Sequence, residues 1–207
     1  MILKKIAPKI YWVDFDTQHE LAATFVRFQE HYESPQFKDK VFTLGQYEAW
    51  YKTTRSHGEF SYYSDWNGFN VPSYAFKAFT DQLFNPLTEL ESNLLITMVF
   101  GGVDFDEDFY LVGTHGGEID VLEHEICHAL YYVNDEYRNK MNDLMSQYDL
   151  SDLHTVLINM GYHKDLCEDE AHAYICTGFD EDQIMTCPDS LRKAMIAVKD
   201  QYYPIIA

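Results

Sequence analysis

Basic residues are scarce in this chain: 15 Lys and Arg stand against 34 Asp and Glu, for a formal charge of −19. A nucleic-acid backbone and an anionic membrane surface both require concentrated positive charge, so neither is an expected partner. The negative field keeps the chain soluble and would attract a basic peptide or protein. No uninterrupted apolar run reaches the roughly 18 residues that a membrane span requires. Residues 1–9 lack the continuous apolar core of a signal peptide, and the expected localisation is cytoplasmic. Cysteine is limited to Cys127, Cys167, Cys176 and Cys187, with no C-x-x-C spacing. That excludes a thioredoxin-type motif or a zinc ribbon, and Cys127 reads as a small buried hydrophobe. The acidic run Asp104, Asp106, Glu107 and Asp108 has alternating oxygen donors but lacks the glycine and the closing glutamate of a calcium loop, so it reads as a solvated loop.

What is present is ordinary globular material, 207 residues with 46% hydrophobic and an aromatic share of 16%. The length suits one domain, residues 1–207, with an N-terminal helical and aromatic lobe at about 1–90 and a metal-binding core at about 91–207. Thr17 caps an expected helix running to about residue 32, and further helices are expected at 44–53 and 74–83. The aromatic segments 47–51 and 60–69 read mainly as core, with a substrate groove as the minority reading. The apolar run 94–100, closed by Gly101-Gly102, reads as a strand. A second strand, 109–112, is followed by a turn over 113–117. Helices are expected after the Asn134-Asp135 break at 136–148, from Ser151 to Gly161, over 165–177, and from Asp189 through Val198. The expected fold class is α+β, mostly helical, with a small antiparallel or mixed sheet.

His124-Glu125-Ile126-Cys127-His128 is H-E-x-x-H. On a helix, residues four apart share a face, so both imidazoles can converge on one ion with Glu125 beside them. Apolar residues at 122, 126, 129, 130 and 133 have helical spacing and place the core face opposite the two histidines. The preceding strand is the kind of element that holds an extended peptide substrate by main-chain hydrogen bonds.

Catalytic zinc usually takes three protein ligands and leaves a fourth position to water. The third candidate lies in the acidic helix at 165–177. Glu170 is favoured because Ala171 and Ala173 are small and would permit close approach of the two helices. Glu168 and His172 are the alternatives, as ligands or as supporting contacts. Asp165 and Asp169 read as a solvated, acidic first turn. Oxyanion donors are available in Tyr131, Tyr132, His154, His163, His172 and Tyr174, with none singled out.

With Glu170 added to the H-E-x-x-H motif, residues 95–177 resemble the zincin metallopeptidases of the gluzincin type. They are also similar to the small intracellular peptidases of the ImmA/IrrE kind. No glycine and histidine follow His128 at the metzincin spacing, since Tyr131 and Asp135 occupy those positions. The resemblance implies a zincin-like active-site helix, one zinc ion per chain on His124, His128 and Glu170, and Glu125 as the general base of peptide-bond hydrolysis. A non-peptidase zinc amidohydrolase and a non-catalytic, metal-stabilised regulatory module are the alternative expectations.

Overall fold

The computed structural model describes residues 1–54, 58–160, 162–178 and 187–203. The chain divides into two compact units, Met1–Leu122 and Glu123–Ala207. The division falls inside the H-E-x-x-H helix, whereas the two expected lobes met near residue 90. Residues 91–122 fall in the first unit because they supply a helix and the strand that joins its sheet.

In the first unit the chain opens with a hairpin, β1 (Ile2–Ala7) and β2 (Ile10–Phe15), turning at Lys9 with a φ of 66°. Neither strand was expected from the sequence pattern. Helix α1 (Gln18–Glu33) follows as expected, with the Thr17 side chain accepting from the Glu20 amide. Helices α2 (Leu44–Thr54) and α3 (Tyr62–Asp65), strand β3 (Phe69–Pro72), and helices α4 (Ser73–Thr80) and α5 (Glu89–Phe100) precede strand β4 (Tyr110–His115). The four strands form one mixed sheet in the order β1-β2-β4-β3, antiparallel except for the β2–β4 pair.

Three expectations are corrected here. The run at 94–100 is helix, not strand. Thr88 and Glu91 form a reciprocal capping box that starts α5 upstream of the apolar run, and Leu94 and Met98, one helical turn apart, are its buried pair. A capping box specifies a helix start more strongly than an apolar run specifies a strand. Strand β4 is also not an open edge. It pairs with β2 on one side and β3 on the other, so its ladder groups are already engaged and cannot hold a peptide by strand addition. Its unbroken burial from Tyr110 to Thr114 is that of a central strand. Gly113, read as part of a turn, lies inside β4. A side chain there would meet the Phe25 ring at 2.8 Å.

The first unit's core is aromatic. Phe28 stacks on Phe79 at 3.9 Å between centroids, and Phe79 on Phe84 at 4.0 Å. Tyr47, Tyr62 and Phe69 are buried, which places most of the two aromatic segments in the core. A cleft of about 240 Å³ lies at their edge, lined by Glu30, Tyr47, Trp50, Tyr51, Asp65 and Trp66. Asn67 instead accepts from the Gln18 side chain at 2.7 Å. The acidic loop before β4 is a local turn, with the Asp106 amide donating to Asp104 Oδ1.

After β4 the chain turns through Gly116 and Gly117, with φ of 62° and 72°, backbone that glycine adopts without strain. It then enters helix α6 (Ile119–Val133). The second unit continues with α7 (Asp135–Met145), α8 (Ser151–Met160), a 3-10 turn (Lys164–Leu166), α9 (Cys167–Thr177) and α10 (Asp189–Tyr202). The break between α6 and α7 is the expected one. Asn134 caps α7 by accepting from the Tyr137 amide. The expected end of α8 at Gly161 lies outside the described residues. Among the described residues four strands stand beside a majority of helix, and the fold is α+β. Among the described residues no helix is long and apolar enough to cross a membrane.

One buried ion pair ties α1 to α5. Arg27 Nε donates to Glu91 Oε1 at 2.6 Å, a second guanidinium nitrogen meets Glu91 Oε2, and Arg27 also donates to the carbonyl of Phe84 at 3.2 Å. Both side chains are almost fully buried. Arg27→Leu leaves the Glu91 carboxylate buried without its cation, and should lower unfolding stability by about 3–5 kcal/mol. Urea denaturation checks this, and an unchanged midpoint would refute it.

Candidate metal centre

Helix α6 presents His124 and His128 one turn apart. Their Nε2 atoms are 3.2 Å from each other. Glu170 of α9 completes the group, with Oε2 3.9 Å from His124 Nε2 and 3.8 Å from His128 Nε2. One donor atom from each residue lies within 4.8 Å of the other two. Nitrogens about 2.0–2.1 Å from a shared tetrahedral ion stand roughly 3.3 Å apart, so the histidine separation fits a common ion.

The environment of each ring holds a proton on the nitrogen that faces away from the group. The Thr177 hydroxyl donates its one proton to the Ala173 carbonyl at 2.9 Å, so it can only accept from His124 Nδ1 at 3.2 Å. That assigns the His124 proton to Nδ1 and leaves Nε2 as a free lone pair. His128 Nδ1 lies 3.0 Å from Asp169 Oδ1, a carboxylate that likewise holds the proton on Nδ1. Tyr174 packs edge-on against His124, 4.7 Å between ring centroids, and its hydroxyl is 3.1 Å from that of Tyr162. Side-chain exposure is 20% for His124 against 3% for His128 and 9% for Glu170. His124 is therefore the member of the group nearest solvent.

Electrostatics divide the two rings. Burial, reinforced by the neighbouring His128, pulls the pKa of His124 down to about 3. Burial acts the same way on His128, but the Asp169 and Glu170 carboxylates override it and hold that ring well above its ordinary value. Asp169, although buried, is brought well below the usual carboxylate range by His128 and His172. A charged His128 donating Nε2–H to a neutral His124 accounts for the 3.2 Å approach, and a divalent ion would take the place of that proton.

Glu125 is 7% exposed, and its charge acts on His128. Glu168 takes no part in the group: its side chain is 61% exposed and lies 3.8 Å from His154. His172 is fully buried on another face of α9, with Nε2 2.7 Å from the Tyr137 hydroxyl and the ring stacked on Tyr131. Of the other suggested donors, Tyr131 donates to Asn142 at 2.5 Å, and His163 pairs with Asp165 at the surface. Cys167, buried at the start of α9, directs its thiol at the His163 carbonyl at 3.7 Å.

Asp169 corrects the reading of a solvated acidic turn. Its Oδ1 is buried between two imidazoles, 3.0 Å from His128 Nδ1 and 3.6 Å from His172 Nδ1. The pattern that places it there was available: Asp169, His172 and Cys176 are spaced i, i+3, i+7 on α9, as are Glu170, Ala173 and Thr177. Thr177, the last residue of α9, shares the face of Glu170 by that spacing. Comparison of the chain with protein-family models, curated proteins and solved structures found no match.

Because Asp169 fixes the His128 proton, Asp169→Asn should weaken uptake of an added divalent metal ion by about 10–100-fold, while Glu168→Gln should leave it unchanged. Competition titration against a chromophoric chelator measures both. Equal affinity in Asp169→Asn and wild type would remove Asp169 from the site.

Proposed function

We propose that this chain is a zinc-dependent metallopeptidase of the gluzincin kind, hydrolysing peptide bonds in a peptide or protein substrate. The observation that carries this reading is the convergence of His124, His128 and Glu170 within 4.8 Å, with Glu125 in the second position of the motif. Two imidazoles and a carboxylate are the donor set of a catalytic zinc site. A zinc ion held there would supply Lewis acidity, polarising the substrate carbonyl and bringing the pKa of a water toward neutrality.

The chain's own residues do the rest. Glu125 follows the first histidine directly and stays beside the ligand face, where its carboxylate accepts a proton from the attacking water. It returns that proton to the departing amine nitrogen as the carbon–nitrogen bond breaks. Thr177 and Asp169 keep the histidine protons on Nδ1, so that both Nε2 lone pairs point into the site. The charge of −19 favours a basic peptide or protein as substrate. The reading places the chain in the cytoplasm, a compartment in which the thiols of Cys127, Cys167, Cys176 and Cys187 stay reduced.

Glu125→Gln should retain zinc and lose hydrolysis by at least about 10²-fold. Elemental analysis measures the zinc, and mass spectrometry of a peptide library incubated with each protein measures the cleavage. Equal cleavage by the variant and wild type would overturn the role of Glu125. Zinc-loaded wild type that cleaves nothing in the library would overturn the peptidase reading and favour a metal-stabilised module.

A further inference from the structure

Helices α6 and α9 bring together a second group of donors with the opposite division of labour. In the first group α6 supplies an i, i+4 pair, His124 and His128, and α9 supplies Glu170. In the second, α9 supplies the i, i+4 pair His172 and Cys176, and α6 supplies Cys127. One ligand atom from each of Cys127, His172 and Cys176 lies within 4.8 Å of the other two. All three residues are buried, at 0%, 0% and 4% exposure.

We propose that Cys127, His172 and Cys176 form a second, structural metal site that takes a zinc-class divalent ion. The donor chemistry selects such an ion, because thiolates with imidazole prefer zinc and its relatives over magnesium or calcium. The charge balance suits the interior: two thiolates neutralise a divalent cation, so no net charge is left buried. Asp169 Oδ1 stands 3.6 Å from His172 Nδ1, placed to become its carboxylate partner once Nε2 holds a metal. His172 Nδ1 is buried and has no hydrogen-bond partner of good geometry in the metal-free chain. The Tyr137 hydroxyl, 2.7 Å from His172 Nε2, offers an oxygen for a fourth corner. A closed, buried set of soft ligands is the pattern of a structural site, in contrast to the first group with its partly exposed His124. This inference requires no catalysis at the first site.

Cobalt titration of the metal-free, full-length chain in a non-thiol reductant tests it, because thiolate ligands give an intense charge-transfer absorption in the near ultraviolet that nitrogen and oxygen ligands do not. The wild type should take up about two cobalt ions per chain and develop that absorption. Cys176→Ser and Cys127→Ala should each lose the absorption and one equivalent, while Glu170→Gln should keep the absorption and lose the other equivalent. Cys167→Ser should match wild type. Circular dichroism of the metal-free variants separates loss of the site from loss of the fold, and the wild-type spectrum decides the matter even if a variant fails to fold. Wild type without thiolate absorption, or absorption that survives in folded Cys176→Ser, would overturn the second site. A single equivalent without the absorption, lost in Glu170→Gln, would do so while leaving the first site in place.

Discussion

The carboxylate of Asp169 is the constraint on which both donor groups depend. Its buried oxygen faces the Nδ1 atoms of His128 and His172 at 3.0 and 3.6 Å, so one negative charge draws the proton of His128 to Nδ1 and acts on the His172 ring across a slightly longer gap. A neutral imidazole offers one lone pair, and the partner of the far nitrogen decides where that lone pair points. With Asp169 in place, both rings turn Nε2 away from it, His128 toward His124 and His172 toward Tyr137. Burial alone would favour neutral rings, and Asp169, joined by Glu170 at His128 and by Cys176 at His172, raises both above their ordinary values.

The same coupling extends to the cysteines. Cys127 follows Glu125 by two positions and precedes His128 by one, while Cys176 precedes Thr177, the residue that orients His124. Hydrogen bonding from Cys127 and the nearby His172 lowers the Cys176 thiol, while Cys127 is raised. No residue between positions 123 and 128 of α6, apart from Ile126, is therefore spared an electrostatic role. Lys199 of α10 is itself almost buried and reaches Glu123 at 3.5 Å, bringing a positive charge near the cysteine end of the arrangement.

The candidate site was legible in the sequence because its information is local. Four residues' spacing on one helix fixes His124, Glu125 and His128, and Glu170 follows from the small residues beside it, with Glu168 and His172 left as alternatives until the structure placed them elsewhere. Asp169 was not legible as a contact because an acidic residue in a first turn is normally solvated. Only the position of a second helix decides otherwise. The sheet was legible in kind but not in membership. The β1–β2 hairpin turns at Pro8-Lys9 without a glycine or asparagine signal, so the amino-terminal residues carried no turn mark. Residues 94–100 misled because their apolar content is continuous, and the evidence for helix lies upstream, in Thr88 and Glu91.

The order of the strands has a further consequence, for the behaviour of the protein at high concentration. A sheet edge with free ladder groups is a template for another copy of the chain, and proteins blunt such edges with short strands, lysine and proline. Here the long apolar strand β4 is in the interior of the sheet, and the edges fall to β3 and β1. Strand β3 is four residues long and ends at Pro72, which has no amide to offer a neighbour. Strand β1 carries Lys4 and Lys5 on a largely exposed ribbon. In a chain with so few cations, two of them guard the edge from which edge-to-edge aggregation would begin.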